Sequence, residues 1–106
     1  QRLAHRVRER LAVALVDDTV VGTGRLLPTG TVGRMAVAEP ARGLGVGAAV
    51  LALLEERARE RGFGVVELHA QLHAAGFYDK AGYTPYGEVY LEAGIEHVSM
   101  RKELMP

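Results

Sequence analysis

The segment Arg42-Gly43-Leu44-Gly45-Val46-Gly47-Ala48 carries the strongest local signal in the chain. Its three alternating glycines open directly into a long pattern rich in alanine and leucine. Glycine has no Cβ, so the phosphates of a ligand can come close to its backbone. The first N–H groups of a helix lack intrahelical partners, and the macrodipole makes that end electropositive. A glycine-rich turn running into a helix is therefore a phosphate cradle. The neighbouring segments have to say which phosphate-bearing molecule it suits.

The chain as a whole narrows the choice. Its 106 residues, 48% of them hydrophobic, suit a single domain over residues 1–106 with a modest core. Thirteen Lys and Arg balance thirteen Asp and Glu. The run Arg2, Arg6, Arg8, Arg10 is broken by apolar residues and Glu9, so no basic face for nucleic acid is expected. Without cysteine, neither disulfide nor thiolate chemistry is available. No apolar run approaches the roughly 20 residues of a membrane span, and no signal-peptide pattern is visible. The expectation is a cytoplasmic protein with no membrane, nucleic-acid or metal partner.

Residues 11–16 and 20–27 are apolar runs separated by Asp17-Asp18, which reads as an antiparallel hairpin. Pro28-Thr29-Gly30 breaks the chain, and Val32 to Ala38 reads as a third strand before Pro40. From Gly43 to Arg61, Val46, Val50, Leu53, Leu54 and Ala58 recur at helical spacing, with Gly62 as the C-terminal stop. A strand over 65–70, a short helix over 73–81 and strands over 83–90 and 97–103 follow, the last two joined by Glu92-Ala93-Gly94. One strand–helix–strand unit beside antiparallel neighbours implies a mixed, mainly antiparallel α/β sheet with a central β-α-β unit.

Two cofactors compete for the glycine loop. Gly43 to Ala48 fits G-x-G-x-x-A of dinucleotide folds, with Glu67 at about the right distance of some 20 residues. Against it, Glu39-Pro40-Ala41-Arg42 separates the strand from the glycines, and a hairpin precedes that strand. The same segment also reads as Arg-x-x-Gly-x-Gly through Arg42, Gly45 and Gly47. Downstream stands Ala74-Ala75-Gly76-Phe77-Tyr78-Asp79-Lys80-Ala81-Gly82-Tyr83. With the strand Arg34-Met35-Ala36-Val37-Ala38 before the loop, these blocks resemble, in order and spacing, the GCN5-related N-acetyltransferase (GNAT) superfamily. Gly24-Arg25-Leu26-Leu27-Pro28, His69-Ala70-Gln71 and residues 87–100 resemble its ElaA-type branch.

The resemblance implies direct transfer of an acetyl group from acetyl-CoA to a primary amine of a small molecule or peptide. It assigns Arg42, Gly43, Gly45, Gly47 and Ala48 to the pyrophosphate of coenzyme A, and the backbone of Met35, Ala36 and Val37 to pantetheine. A backbone N–H of that strand would polarise the thioester carbonyl. Gln71 stands where the family often has asparagine, and Phe77 and Tyr78 belong to the cofactor-side helix. Tyr78 matches the tyrosine that often protonates the departing thiolate, since a phenol is neutral at pH 7. The general base is open between Glu67, Glu92, His73 and His97; His97 is favoured because imidazole titrates near neutrality and follows the Glu92–Glu96 turn. Arg34 could grip an acceptor carboxylate or pair with Glu67 or Glu88, and Glu67 and Glu92 are further candidates for contact with the acceptor.

Family members carry a further strand and two helices before the hairpin, elements that wall the acceptor site. Residues 1–10 fit only the end of the second helix. That reading leaves the edge at 11–16 unpaired, open to a strand from a second copy and hence to a homodimer. Two alternatives to the enzyme remain: a non-catalytic acyl-CoA-binding module and a nicotinamide-dinucleotide-binding domain.

Overall fold

The computed structural model describes residues 3–8, 11–16, 19–38 and 45–104. Among these described residues, seven strands build one sheet: β1 (Leu3–Arg8), β2 (Leu11–Val16), β3 (Thr19–Leu26), β4 (Thr31–Val37), β5 (Val65–Gln71), β6 (Thr84–Glu92) and β7 (Ile95–Glu103). Their spatial order is β1-β2-β3-β4-β5-β7-β6. Among the described residues only β4 and β5 run parallel, and the helix α1 (Val46–Glu60) lies between them in the chain. A 3-10 turn, Leu72–Ala74, leads from β5 into the short helix α2 (Ala75–Lys80). This is the mixed, mainly antiparallel α/β sheet with a central β-α-β unit that the sequence implies.

The chain's first residues differ from expectation. Leu3–Arg8 is not the tail of a helix but a strand, paired antiparallel with β2 from Leu3↔Val16 to Arg8↔Leu11. Arg6-Val7-Arg8 alternates with the period of a strand, and Val7 packs against the core. The backbone edge of β2 is thereby occupied by the chain's own β1, so an unpaired edge at 11–16 does not arise.

α1 forms because its apolar residues recur every three or four positions, and Val46, Val50, Leu51, Leu54 and Ala58 are all buried. The helix lies against β2, β3 and β4. It ends in a Schellman turn: Gly62 has φ 84°, Phe63 N–H donates to Ala58 O at 3.0 Å and Gly62 N–H to Arg59 O at 3.0 Å. Among the described residues, no helix is long and apolar enough to cross a membrane.

A buried polar cluster ties α1 to the C-terminal hairpin. The Tyr83 hydroxyl donates to Glu55 Oε2 at 2.8 Å, and Lys102 Nζ donates to Glu55 Oε1 at 3.0 Å and to Ala81 O at 2.9 Å. Glu55 and Tyr83 are 6% and 1% exposed. Burial first, and then the Glu55 carboxylate, push the Tyr83 phenol well above its ordinary range. The folded state therefore keeps this phenol neutral where the unfolded chain ionises it, so its contribution is full below pH 10 and is lost as pH rises beyond that. Tyr83→Phe removes a hydrogen bond to a charged, buried group and should cost about 1.5–3 kcal/mol. Urea unfolding checks this: the midpoint should fall with an unchanged m-value.

Candidate active site at the strand fork

The site exists because β4 and β5 part company. Their parallel pairing is confined to Thr31↔Glu67 and Val32↔Leu68. Beyond it β4 stays with β3 as far as Gly22↔Val37, while β5 stays with β7 as far as Gln71↔His97. A bulge in the β3–β4 ladder sets two residues, Arg34 and Met35, against Gly24. Such an irregularity bends a strand and re-aims its side chains. Backbone groups of β4 beyond Val32 are thereby released from β5.

Two cavities of about 500 Å³ each meet at this fork. Both are walled by Met35, Ala36, Val37, Ala74 and Tyr78. The first extends to the start of α1, at Gly45, Val46, Gly47 and Ala48, and to Phe77 of α2. The second extends along β5 to His69 and Gln71, and reaches His73 and His97.

The first cavity has the features of an anion site with an apolar approach. Gly45 caps α1 in the left-handed region, φ 75°, which favours glycine. Among the described residues no side chain caps the helix, and no acidic residue sits in its first turn. The first hydrogen bond to Gly45 O comes from Ala49 N–H at 3.1 Å, so the amides of Val46, Gly47 and Ala48 precede the helical ladder. A Cβ on Gly47 would stand 3.1 Å from Phe77 Cζ, so the lack of a side chain lets the ring lie against the helix. Phe77 meets Tyr78 edge-on, centroids 4.9 Å apart, and Tyr78 meets Tyr83 edge-on at 6.0 Å. Burial raises the Tyr78 phenol above its usual value, so it remains a proton donor across the neutral range.

The second cavity is lined by imidazoles. His97 is buried, and its Nδ1 lies 2.8 Å from Ile95 O. A carbonyl can only accept, so Nδ1 carries the proton and the neutral ring keeps its lone pair on Nε2. That nitrogen is 3.7 Å from Glu92 Oε2. Tyr90 stacks on the ring at 5.7 Å and 23°, fixing its plane. Glu92 thus acts on the cavity through His97, and is not itself among the lining residues.

The structure brings together most of the residues singled out in the sequence. Met35, Ala36, Val37, Gly45, Gly47, Ala48, Phe77 and Tyr78 share the first cavity, and Gln71, Tyr78 and His97 share the second. Glu67 lines neither: it sits at the closed end of the fork, opposite Thr31 and Arg101, beside the Tyr86 hydroxyl. Arg42 and Gly43 lie outside the described residues, as does the side chain of Arg34. Sequence reasoning gave no role to His69, Tyr90 and Ser99, which meet at His69 Nδ1 at 2.9 Å (Tyr90) and 3.3 Å (Ser99). Period-two alternation puts Glu67, His69 and Gln71 on one face of β5, but only the β5–β7–β6 register joins them to Ser99 and Tyr90.

Comparison with known proteins converges on one family. Residues 1–104 match the family model described as an acetyltransferase (GNAT) domain. The Bacillus subtilis protein YyaT is 40% identical over 91 residues, covering 83% of this chain and 62% of that protein. The chain thus spans somewhat less than two thirds of that relative's length. A crystal structure of a Lactobacillus plantarum protein superposes with a TM-score of 0.83 at 36% identity, covering 90% of this chain and 68% of the other. Escherichia coli ElaA superposes with a TM-score of 0.77 at 31% identity, covering 88% and 67%.

Proposed function

This chain belongs to the GNAT acetyltransferase family, and we propose that it moves an acetyl group from acetyl-CoA to a primary amine by direct attack. The observation that carries the reading is the continuity of the two cavities through the fork, with uncapped α1 amides at one end, His97 at the other and Tyr78 on the wall between them.

The first cavity fits the coenzyme. Its α1 amides suit a pyrophosphate, and Met35, Val37 and Phe77 offer apolar walls to an extended arm. Bound there, acetyl-CoA supplies an activated thioester. The released backbone of β4 provides amides that can pair with the pantetheine arm and polarise the thioester carbonyl. Gln71, at the end of β5, offers an amide to the same arm. Tyr78 donates a proton to the departing sulfur, which its raised pKa allows throughout the neutral range. His97 offers the Nε2 lone pair as base, and Glu92 steadies the imidazolium that forms. Attack needs no covalent enzyme intermediate, so rate arises from positioning and carbonyl polarisation. Arg34 and the loop residues Arg42 and Gly43 complete the reading as contacts to an acceptor carboxylate and to the pyrophosphate. A cytoplasmic setting goes with it, since acetyl-CoA and free amines meet there.

Thiol release, followed over a panel of primary amines, tests the reading beside calorimetric titration of acetyl-CoA. Amine-dependent release is expected. Tight coenzyme binding with no release from any amine would instead make the chain an acyl-CoA-binding module. Preferential binding of a nicotinamide dinucleotide would overturn both.

A further inference from the structure

The helix that carries Phe77 and Tyr78 is not held by its own packing. α2 has six residues, none of them buried, and only Ala75 and Tyr78 are half-buried. A helix of that length is unstable alone, since nucleation costs more than so few hydrogen bonds return. It is anchored just beyond its end instead. The Tyr78 carbonyl accepts from Ala81 N–H and Tyr83 N–H, both at 3.0 Å, and Tyr83 is fully buried. Tyr78 is thus tied through its backbone to a turn that Tyr83 roots in the core.

Lys102 fastens that turn to α1. It alternates onto the face of β7 that carries the buried Val98 and Met100, which is the face the helices cover. Its Nζ donates to Ala81 O at 2.9 Å, at the C-terminal end of α2, and to Glu55 Oε1 of α1 at 3.0 Å. A cation suits that place, because the last carbonyls of a helix lack partners and carry the negative end of its dipole. The same ammonium lies 5.7 Å from the centroid of the Tyr83 ring, whose hydroxyl donates to the other Glu55 oxygen. A Cβ on Gly82 would stand 3.3 Å from Lys102 Cε, so the bare turn gives the lysine stem its passage. Nearer the start of α2, the Phe77 ring lies against Gly47 of α1. Two contacts therefore set α2 against α1, a ring on the coenzyme side and one ammonium behind it.

We propose that Lys102 is a positioning residue for acetyl transfer: by joining Ala81 O to Glu55 it fixes α2 against α1, and so fixes Tyr78 in the wall of the fork. The inference rests on the acetyl-transfer reading above, in which Tyr78 protonates the departing sulfur. Lys102 lines neither cavity of the fork, so its effect passes through α2. Without the ammonium, Ala81 O loses its charged donor and the turn keeps only the Tyr83 hydroxyl on Glu55. The edge-on stack of Phe77, Tyr78 and Tyr83 is then free to shift as a unit with α2. A misplacement of about 1 Å, caused from outside the site, can cost about 10²-fold in rate.

Two measurements on the whole chain test this. Lys102→Met keeps the stem and removes the ammonium, but it leaves the Glu55 carboxylate buried without its cation. The pair Glu55→Gln with Lys102→Met removes the same link to Ala81 without that stranded charge, and reports where the single variant does not fold. Amide hydrogen exchange, followed by NMR without coenzyme, should speed up at Ala81 and Tyr83 by at least about tenfold relative to Leu54 and Ala58 of α1. An equal change at all four amides, or none, overturns the proposal. In thiol-release assays under saturating acetyl-CoA, the paired substitution should lower kcat by at least about tenfold in the wild-type background. In the Tyr78→Phe background the same pair should cost less than about threefold, because the group it positions is already gone. Equal losses in the two backgrounds overturn it as well. Failure of the wild-type chain to turn over any amine counts against acetyl transfer itself, and the exchange measurement then still decides whether Lys102 holds α2.

Discussion

Replacing Tyr78 by phenylalanine is expected to lower kcat by about 10²- to 10³-fold, with the dissociation constant of coenzyme A changed by less than about threefold. The substitution removes one oxygen and keeps the ring, so the edge-on contacts with Phe77 and Tyr83 survive. No side-chain hydrogen bond to the Tyr78 hydroxyl is lost among the described residues, and stability should change by less than about 1 kcal/mol. What disappears is the proton offered to sulfur as the C–S bond breaks. The effect belongs to the transition state, so kcat and kcat/KM should fall together. The pH profile gives the sign. An acid catalyst works while protonated, and burial raises this phenol, so the alkaline limb that it governs lies above pH 10 in the wild-type chain. That limb should vanish in the variant. An unchanged kcat across pH, measured by thiol release under saturating acetyl-CoA, removes Tyr78 from the role of acid.

How much of this was legible beforehand depends on the range over which each feature is encoded. α1 was readable because Val46, Val50, Leu54 and Ala58 repeat with the helix period, and Gly62 marks its end by needing a positive φ. The cofactor-side residues were readable as well, since Gly45 to Ala48 and Phe77–Tyr78 are contiguous words in the chain. β1 was misread because two arginines around Val7 look like the solvated face of a helix; its strand character comes from the edge of β2, a partner the local sequence does not display. The fork is a further step removed. It depends on where a parallel pairing stops after two residue pairs, a balance between the β3–β4 and β5–β7 ladders. The His69–Ser99–Tyr86 row likewise joins residues up to thirty positions apart through register alone. Chemistry carried by one short segment shows in the sequence, and chemistry assembled across strands does not.

The glycines of β3 make the second large prediction, and it ties stability to the site. Gly24→Val is expected to destabilise the chain by about 3 kcal/mol, near the upper end of overpacking costs. A Cβ at this position would stand 2.6 Å from Met35 Sδ, 2.8 Å from Leu54 Cδ1 and 2.9 Å from Val50 Cγ1. One flexible side chain could yield, but three converge, and Leu54 and Val50 are fully buried in the face of α1 that packs on the sheet. Either α1 lifts from β3 or Met35 is driven out of its place. Met35 walls both cavities, so the same substitution should also weaken coenzyme binding. Gly33→Ala is the control: a Cβ there meets nothing within 4 Å and the residue has no positive φ, so its cost should stay within about 0.5 kcal/mol. Urea midpoints for the two variants would separate a packing effect from a general intolerance of side chains in the sheet. A Gly24→Val chain as stable as the control would mean that α1 does not rest on β3 as closely as the contacts require. A cycle through Gly24→Ala and Met35→Ala gives the finer measure. Shortening Met35 removes one of the three clashing atoms, so the double variant should be less destabilised than the sum of the singles. A positive coupling would place the thioether in the gap that Gly24 leaves, linking the packing of α1 on β3 to the wall of the fork.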